Sequence, residues 1–243
     1  MRSTLCLHST LLAALLVVCN VTPFLSAQDK ATPSITWSSR TIEGWQVNVN
    51  KQLEKDDPNS LTTAIDLLTK QLEEIVRVVP PDAVKRLRAV VLWISPEYAG
   101  VPPRAEYHPG AGWLRDNGRD PVMVKGVEFT NVHIFEAETR RMPNFALHEL
   151  AHAYHDQVLG NDHEELIATF ERAKAVGKYD RVERQDSEGR KRQDRAYALT
   201  SPQEYFAETT EAFFSHNDFQ PYDRAELEAF DPAMYKLLER LWR

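Results

Sequence analysis

His148-Glu149-Leu150-Ala151-His152 sets two imidazoles four residues apart, with a carboxylate beside the first. On a helix, residues four apart lie above one another, so His148 and His152 can close on one metal ion. Glu149 is turned about 100° from His148 and borders the same cleft, where a carboxylate can handle the protons of a metal-bound water. Two imidazoles, a further ligand and one open position form the usual catalytic zinc arrangement, so one Zn2+ per chain is expected. Leu147, Leu150, Ala151, Tyr154 and Val158 group on the opposite side. The helix therefore has a core face without its histidines.

The third ligand decides the class. A metzincin continues H-x-x-G-x-x-H from the second histidine, but His155 and Val158 stand where its glycine and last histidine belong. On a straight helix, about 10 Å of axial rise separates His155 from His148, which makes His155 an outer or surface residue. Better candidates lie in Ser201 to Glu211, where Glu204, Glu208 and Glu211 form a carboxylate stripe and Phe206, Ala207, Phe213 and Phe214 point the other way. Like charges stacked on one helix face repel, so a cation opposite them would explain their presence. Ser201, Pro202 and Glu204 also fit an S-x-x-E capping box with proline at the first helical position. On these grounds Glu204 is either a ligand or a cap, and Glu208 is the other ligand candidate.

These two helices need a frame. Ile35 to Asn50 reads as extended, with Trp45, Val47 and Val49 alternating against Gln46, Asn48 and Asn50 after a Glu43-Gly44 turn. A strong helix starts at Asp57-Pro58-Asn59-Ser60, repeats apolar residues from Leu61 to Val79 at three- and four-residue steps, and stops at Pro80-Pro81. Ala89 to Ile94 is a short apolar run of the kind found in buried strands. Pro96 to Pro121 is irregular. Val127 to Phe135 is a further strand, and its Glu128, Thr130, Asn131 and His133 suit an edge. Such an edge beside the metal can pair with an extended peptide, although an ordinary exposed edge has the same pattern. After the motif come a helix over Asp162 to Val176, a solvated hairpin or loop over Tyr179 to Arg195, and helices over Pro202 to Phe214, Ala225 to Phe230 and Pro232 to Trp242. The expected fold is α+β, with a small mixed sheet, an active-site helix and a mostly helical C-terminal half.

Composition narrows the chemistry. Residues 1–27 have the form of a secretory signal: Arg2, an apolar run from Leu11 to Cys19, and Ser26-Ala27 before Gln28. The run is shorter than the about 20 residues a membrane span needs, so the expected product is exported, secreted or periplasmic, without stable membrane insertion. Both cysteines, Cys6 and Cys19, fall inside it. Residues 28–243, read as a single domain, thus contain no thiol, which excludes a cysteine nucleophile and cysteine ligands. Cleavage removes one basic and no acidic residue, taking the net charge from -7 to -8. That argues against nucleic acid or an anionic membrane as partner.

His148-Glu149-Leu150-Ala151-His152, followed some fifty residues later by Tyr197-Ala198-Leu199-Thr200-Ser201-Pro202-Gln203-Glu204-Tyr205-Phe206-Ala207-Glu208, resembles the catalytic domain of anthrax toxin lethal factor and its relatives, which are gluzincin metallopeptidases. The resemblance covers the motif helix and the Tyr-Glu segment, and secreted bacterial proteins carrying a lethal-factor-like module are similar. It implies a zincin-like fold and zinc held by His148, His152 and Glu204. It also implies Glu149 as general base, Tyr197 as donor to the transition state and Glu208 as a carboxylate behind a ligand histidine. The implied reaction is hydrolysis of a peptide bond in a peptide or protein substrate: Glu149 takes a proton from a zinc-activated water and passes it to the leaving amine. A non-catalytic zinc or peptide-binding protein, or a zinc hydrolase of a non-protein amide, are the alternatives.

Overall fold

The chain opens with a hairpin whose turn residues, Glu43 and Gly44, both have positive φ (49° and 89°), the backbone that matches strand twist. It joins β1 (Trp37–Ile42) to β2 (Trp45–Asn50). The structure is a computed structural model and describes residues 35–243; the expected signal segment lies outside the described residues. Residues 35–243 cluster as one unit.

Asn50 and Asp57 cap the next two helices with their side chains, α1 (Lys51–Asp56) and α2 (Pro58–Val78). As its periodicity predicts, α2 buries Leu61, Ala64, Leu68, Leu72 and Ile75 and ends before Pro80. A short α3 (Pro81–Leu87) leads to the wholly buried β3 (Leu92–Ile94). The stretch read as irregular contains β4 (Ala105–Tyr107) and α4 (Ala111–Asp116). Then come β5 (Val127–Phe129), α5 (Phe135–Arg141) and the motif helix α6 (Phe145–Tyr154), which runs on into a π-helical segment, His155–Leu159. The rest is α7 (Glu164–Val176), the hairpin β6 (Val182–Gln185) and β7 (Lys191–Asp194), and α8 (Pro202–Phe214), α9 (Arg224–Phe230) and α10 (Pro232–Leu241). No described helix is long and apolar enough to cross a membrane.

The architecture is α+β around a small mixed sheet of order β1-β2-β3-β5-β4, parallel at β2–β3 and β3–β5 and antiparallel at both ends. One expectation is corrected here. The segment Val127 to Phe135 is not an edge strand: only Val127–Phe129 is extended, and it lies between β3 and β4. Its polar residue has a buried role. Glu128 is fully enclosed and accepts hydrogen bonds from Arg119 Nη1 (2.8 Å) and the Tyr98 hydroxyl (2.8 Å), with His108 Nε2 at 2.9 Å. A buried, saturated carboxylate and a solvated one look alike in a sequence. The edge beside the motif is β4.

α6 packs between α8 on one side and α2 and β4 on the others. Phe145, Ala146, Leu147, Leu150, Ala151, Ala153 and Tyr154 are buried. Trp242 stacks on Tyr154 at 4.2 Å and on Phe206 at 5.6 Å, closing α10 over α6 and α8.

Candidate metal centre

The start of α6 is fixed by polar contacts to α2. Asn144 accepts from the Leu147 N–H (3.0 Å) while its amide donates to Gln71 C=O and Glu74, and Gln71 Oε1 accepts from the Ala146 N–H. These bonds satisfy groups a buried helix end would leave orphaned. They also set the rotation of α6 about its axis, so His148 and His152 face the first turn of α8. There His148 Nε2 and His152 Nε2 are 3.1 Å apart, and Glu204 Oε2 is 3.3 Å from each.

That triangle fits zinc. Donors about 2.0–2.1 Å from a tetrahedral zinc stand roughly 3.3–3.4 Å from one another. Glu204 Oε2 is also buried without a hydrogen-bond donor, an orphan that a cation would satisfy. The same geometry bears on the capping alternative. Ser201 Oγ accepts from the Glu204 N–H at 3.2 Å and caps α8, while the Glu204 carboxylate lies against the two imidazoles. Burial works against the Glu204 charge, but His148 and His152 hold it well below the ordinary carboxylate range.

Behind the triangle, Glu211 occupies the place expected for Glu208. Glu211 Oε1 is 2.5 Å from His148 Nδ1, whereas Glu208 Oε1 is 4.0 Å away and its Oε2 accepts from Asn217 at 3.1 Å. Glu204 and Glu211 are seven residues apart, nearly two full turns, and so share one line along α8; Glu208 is rotated about 40° off it. An imidazole lying along that line meets Glu204 at one nitrogen and Glu211 at the other. A carboxylate on Nδ1 fixes the tautomer that leaves Nε2 free for metal. Burial pushes Glu211 up to about 7, against the pull of His148, and burial with Glu211 and Asp218 nearby raises Glu208 far above its usual range. Burial opposes an imidazolium at His148, yet Glu211 and Glu204 outweigh it and raise the ring well above its ordinary value.

Glu149 is held by the sheet. The Tyr107 N–H of β4 donates to Glu149 Oε2 at 2.8 Å. Burial raises the Glu149 carboxyl, tempered by the two histidines. The centre opens into a cleft of about 750 Å³ walled by α6, β4, the start of α8 and Tyr197. Tyr197 projects half-exposed from a single 3-10 turn, Tyr197–Leu199, and burial together with Glu204 raises its phenol. His148, Glu149, His152, Glu204, Glu208 and Tyr197 thus all border one cleft. Sequence reasoning missed the places of Glu211 and β4. The seven-residue spacing from Glu204 to Glu211 was the available signal for the first.

β4 presents a free edge to this cleft. Arg104 C=O accepts from the Thr130 N–H, Glu106 is paired with Glu128, and His108 N–H donates to Gly126 C=O. In an antiparallel ladder alternate residues bond to the neighbour, so Ala105 and Tyr107 turn their main-chain groups away from β5.

His155 neither hydrogen-bonds to a ligand nor lies on the surface, a second correction. It is 1% exposed, its ring packs 5.6 Å from Phe206, and both ring nitrogens lack partners. The π-helical turn rotates it into the core. Burial, with His152 and His163 nearby, pushes its pKa from 6.5 down to about 4. The folded protein keeps this ring neutral while the unfolded chain protonates below 6.5, so stability falls as pH drops from 6.5 towards 4. The loss from this residue is expected on the order of 3 kcal/mol. His155→Leu should remove that part of the pH dependence, measured by urea denaturation at pH 7 and pH 4.5; parallel pH slopes in both proteins would refute it.

Compared with protein-family models, with curated proteins and with solved structures, the chain matches none of them.

Proposed function

We infer that the protein is an exported zinc metallopeptidase of gluzincin type, with a zincin-like fold, hydrolysing peptide bonds in a peptide or protein substrate. The observation that carries this is the His148–His152–Glu204 triangle, with 3.1 and 3.3 Å edges, standing beside a partly buried Glu149 in an open cleft. Zinc, when bound there, would polarise the scissile carbonyl and lower the pKa of a water to about 7. His148, His152 and Glu204 would hold it, and Glu211 keeps His148 in the required tautomer. Glu149 takes the proton of the attacking water and delivers it to the leaving amine. The Tyr197 hydroxyl donates to the oxygen that gains charge in the transition state. Two features favour a peptide over another amide. The outward main-chain groups of Ala105 can pair with an extended backbone, and the cleft is open along that edge.

The test is metal content of the purified protein with cleavage of a denatured-protein mixture, with and without a chelator. Zinc bound to the chain, fragments released, and loss of cleavage in chelator restored by added zinc are expected. Zinc without cleavage of any protein or peptide overturns the peptidase assignment in favour of a zinc-binding protein or a hydrolase of another amide.

A further inference from the structure

Beyond its ligands, the motif helix makes a second connection to β4. Past Tyr154 the helix widens into the π turn His155–Leu159, closed by the Gly160 N–H on His155 C=O at 2.8 Å, with Gly160 at φ 85°. Widened turns of this kind concentrate at functional sites. This one turns Asp156 and Gln157 towards the edge strand. The Tyr107 hydroxyl donates to Asp156 Oδ2 and accepts from Gln157 Nε2 at 3.2 Å. Lys125 Nζ reaches the same Asp156 oxygen at 2.6 Å, and Asn161 donates to the other oxygen at 3.2 Å. Tyr107 is thereby gripped at both ends by one helix: its phenol by Asp156, its main-chain N–H by Glu149. Glu149, on the α-helical part, and Asp156, on the widened turn, both reach this one residue of β4.

We propose that Asp156, acting through Tyr107, is a positioning residue that fixes the Glu149 carboxylate, with the Tyr107 N–H occupying Oε2 so that Oε1 is the oxygen that exchanges protons. The role of Glu149 in turnover rests on the function proposed above; the placement of Glu149 by Tyr107 does not. A carboxylate free to rotate offers its proton-accepting oxygen in the reactive direction only part of the time. One pinned at a single oxygen by a main-chain donor presents the other in a fixed direction. That donor is only as well placed as the three-residue strand carrying it, and β4 has no further strand on its side away from β5. Asp156 and Gln157 supply the restraint that a neighbouring strand would otherwise give.

The test uses the full zinc-loaded protein and two readouts, amide hydrogen exchange at residue 107 and kcat against KM on a peptide it cleaves. Tyr107→Phe removes only the hydroxyl; Asp156→Ala removes the acceptor; Asp156→Asn keeps an acceptor for that hydroxyl. In Tyr107→Phe and Asp156→Ala the 107 amide should exchange roughly 10- to 100-fold faster, matching the weakening of one charge-assisted hydrogen bond. kcat should fall by about 10- to 100-fold, as for a misplaced catalytic group, with KM and zinc affinity unchanged. Asp156→Asn should restore most of both. Exchange at 107 unchanged in both disrupting variants overturns the proposal, as does a rise in KM at constant kcat, which would make Asp156 a substrate contact. If the wild-type protein cleaves nothing, the peptidase assignment fails, and exchange at 107 in Asp156→Ala and Glu149→Ala still decides the placement.

Discussion

Replacing Glu149 by glutamine is expected to lower kcat by about 100- to 10,000-fold, the range for loss of a general base, while zinc stays bound. The two results come from different parts of the geometry. Zinc affinity resides in the His148, His152 and Glu204 donors, whose edges of 3.1–3.3 Å involve no atom of Glu149. Glutamine keeps the shape of the side chain, and its carbonyl oxygen can still accept the Tyr107 N–H that Glu149 accepts at 2.8 Å. What it loses is the ability to take a proton. Desolvation already raises the Glu149 carboxyl, so exchanging it for a neutral amide removes a partly buried charge and should leave the melting temperature equal or higher. Turnover measured beside zinc content separates the effects. Undiminished zinc-dependent cleavage in Glu149→Gln would end the assignment of this residue as base. Loss of zinc would show the metal site to be larger than the triangle.

The parts of the fold that were legible in the sequence are those whose pattern is enforced over many residues. Leu61 to Ile75 repeats through several turns of α2, so period alone identifies the helix and its buried face. Trp45, Val47 and Val49 alternate because the apolar core lies on their face of β2, although Asn48 on the other face is buried too. The carboxylate stripe on α8 and the pair on α6 were equally plain, since helix geometry brings residues three, four and seven apart together whatever surrounds them. β4 was not. Ala105-Glu106-Tyr107 is too short for alternation to show and lies among prolines, and only its pairing with β5 makes it a strand. Glu128 misled for a different reason: its partners Arg119, His108 and Tyr98 come from a segment with no regular pattern. His155 was misplaced because the projection assumed a uniform helix, whereas the chain changes to a π turn at that residue. The exchange of Glu208 for Glu211 behind His148 was signalled by the seven-residue spacing from Glu204, but choosing between them also needed the direction in which one ring lies.

Glu204→Gln should abolish peptidase activity and weaken zinc more than any change in the residues around the ligands. Three side chains at α8 stand at different removes from the triangle. Glu204 Oε2 is equidistant from the two Nε2 atoms at 3.3 Å and is buried without a donor, so an amide in its place costs a direct ligand and a charge. Glu211 acts one bond further out, on His148 Nδ1; Glu211→Gln should reduce zinc affinity by about 10- to 100-fold, the usual cost of losing a partner behind a metal-bound histidine. The Ser201 hydroxyl accepts from the Glu204 N–H at 3.2 Å and makes no contact with the triangle's donor atoms. Ser201→Ala should therefore leave zinc affinity intact and cost about 1 kcal/mol of stability as a lost helix cap. Competition against a chromophoric chelator orders the three affinities, and urea denaturation of the zinc-free proteins isolates the cap. If Glu204→Gln bound zinc as tightly as wild type while its zinc-free form lost stability like Ser201→Ala, Glu204 would belong to its own helix end. The ligand would then have to be Glu208, which would need to leave Asn217 to reach the metal. An affinity order of Ser201→Ala above Glu211→Gln above Glu204→Gln is what the triangle requires.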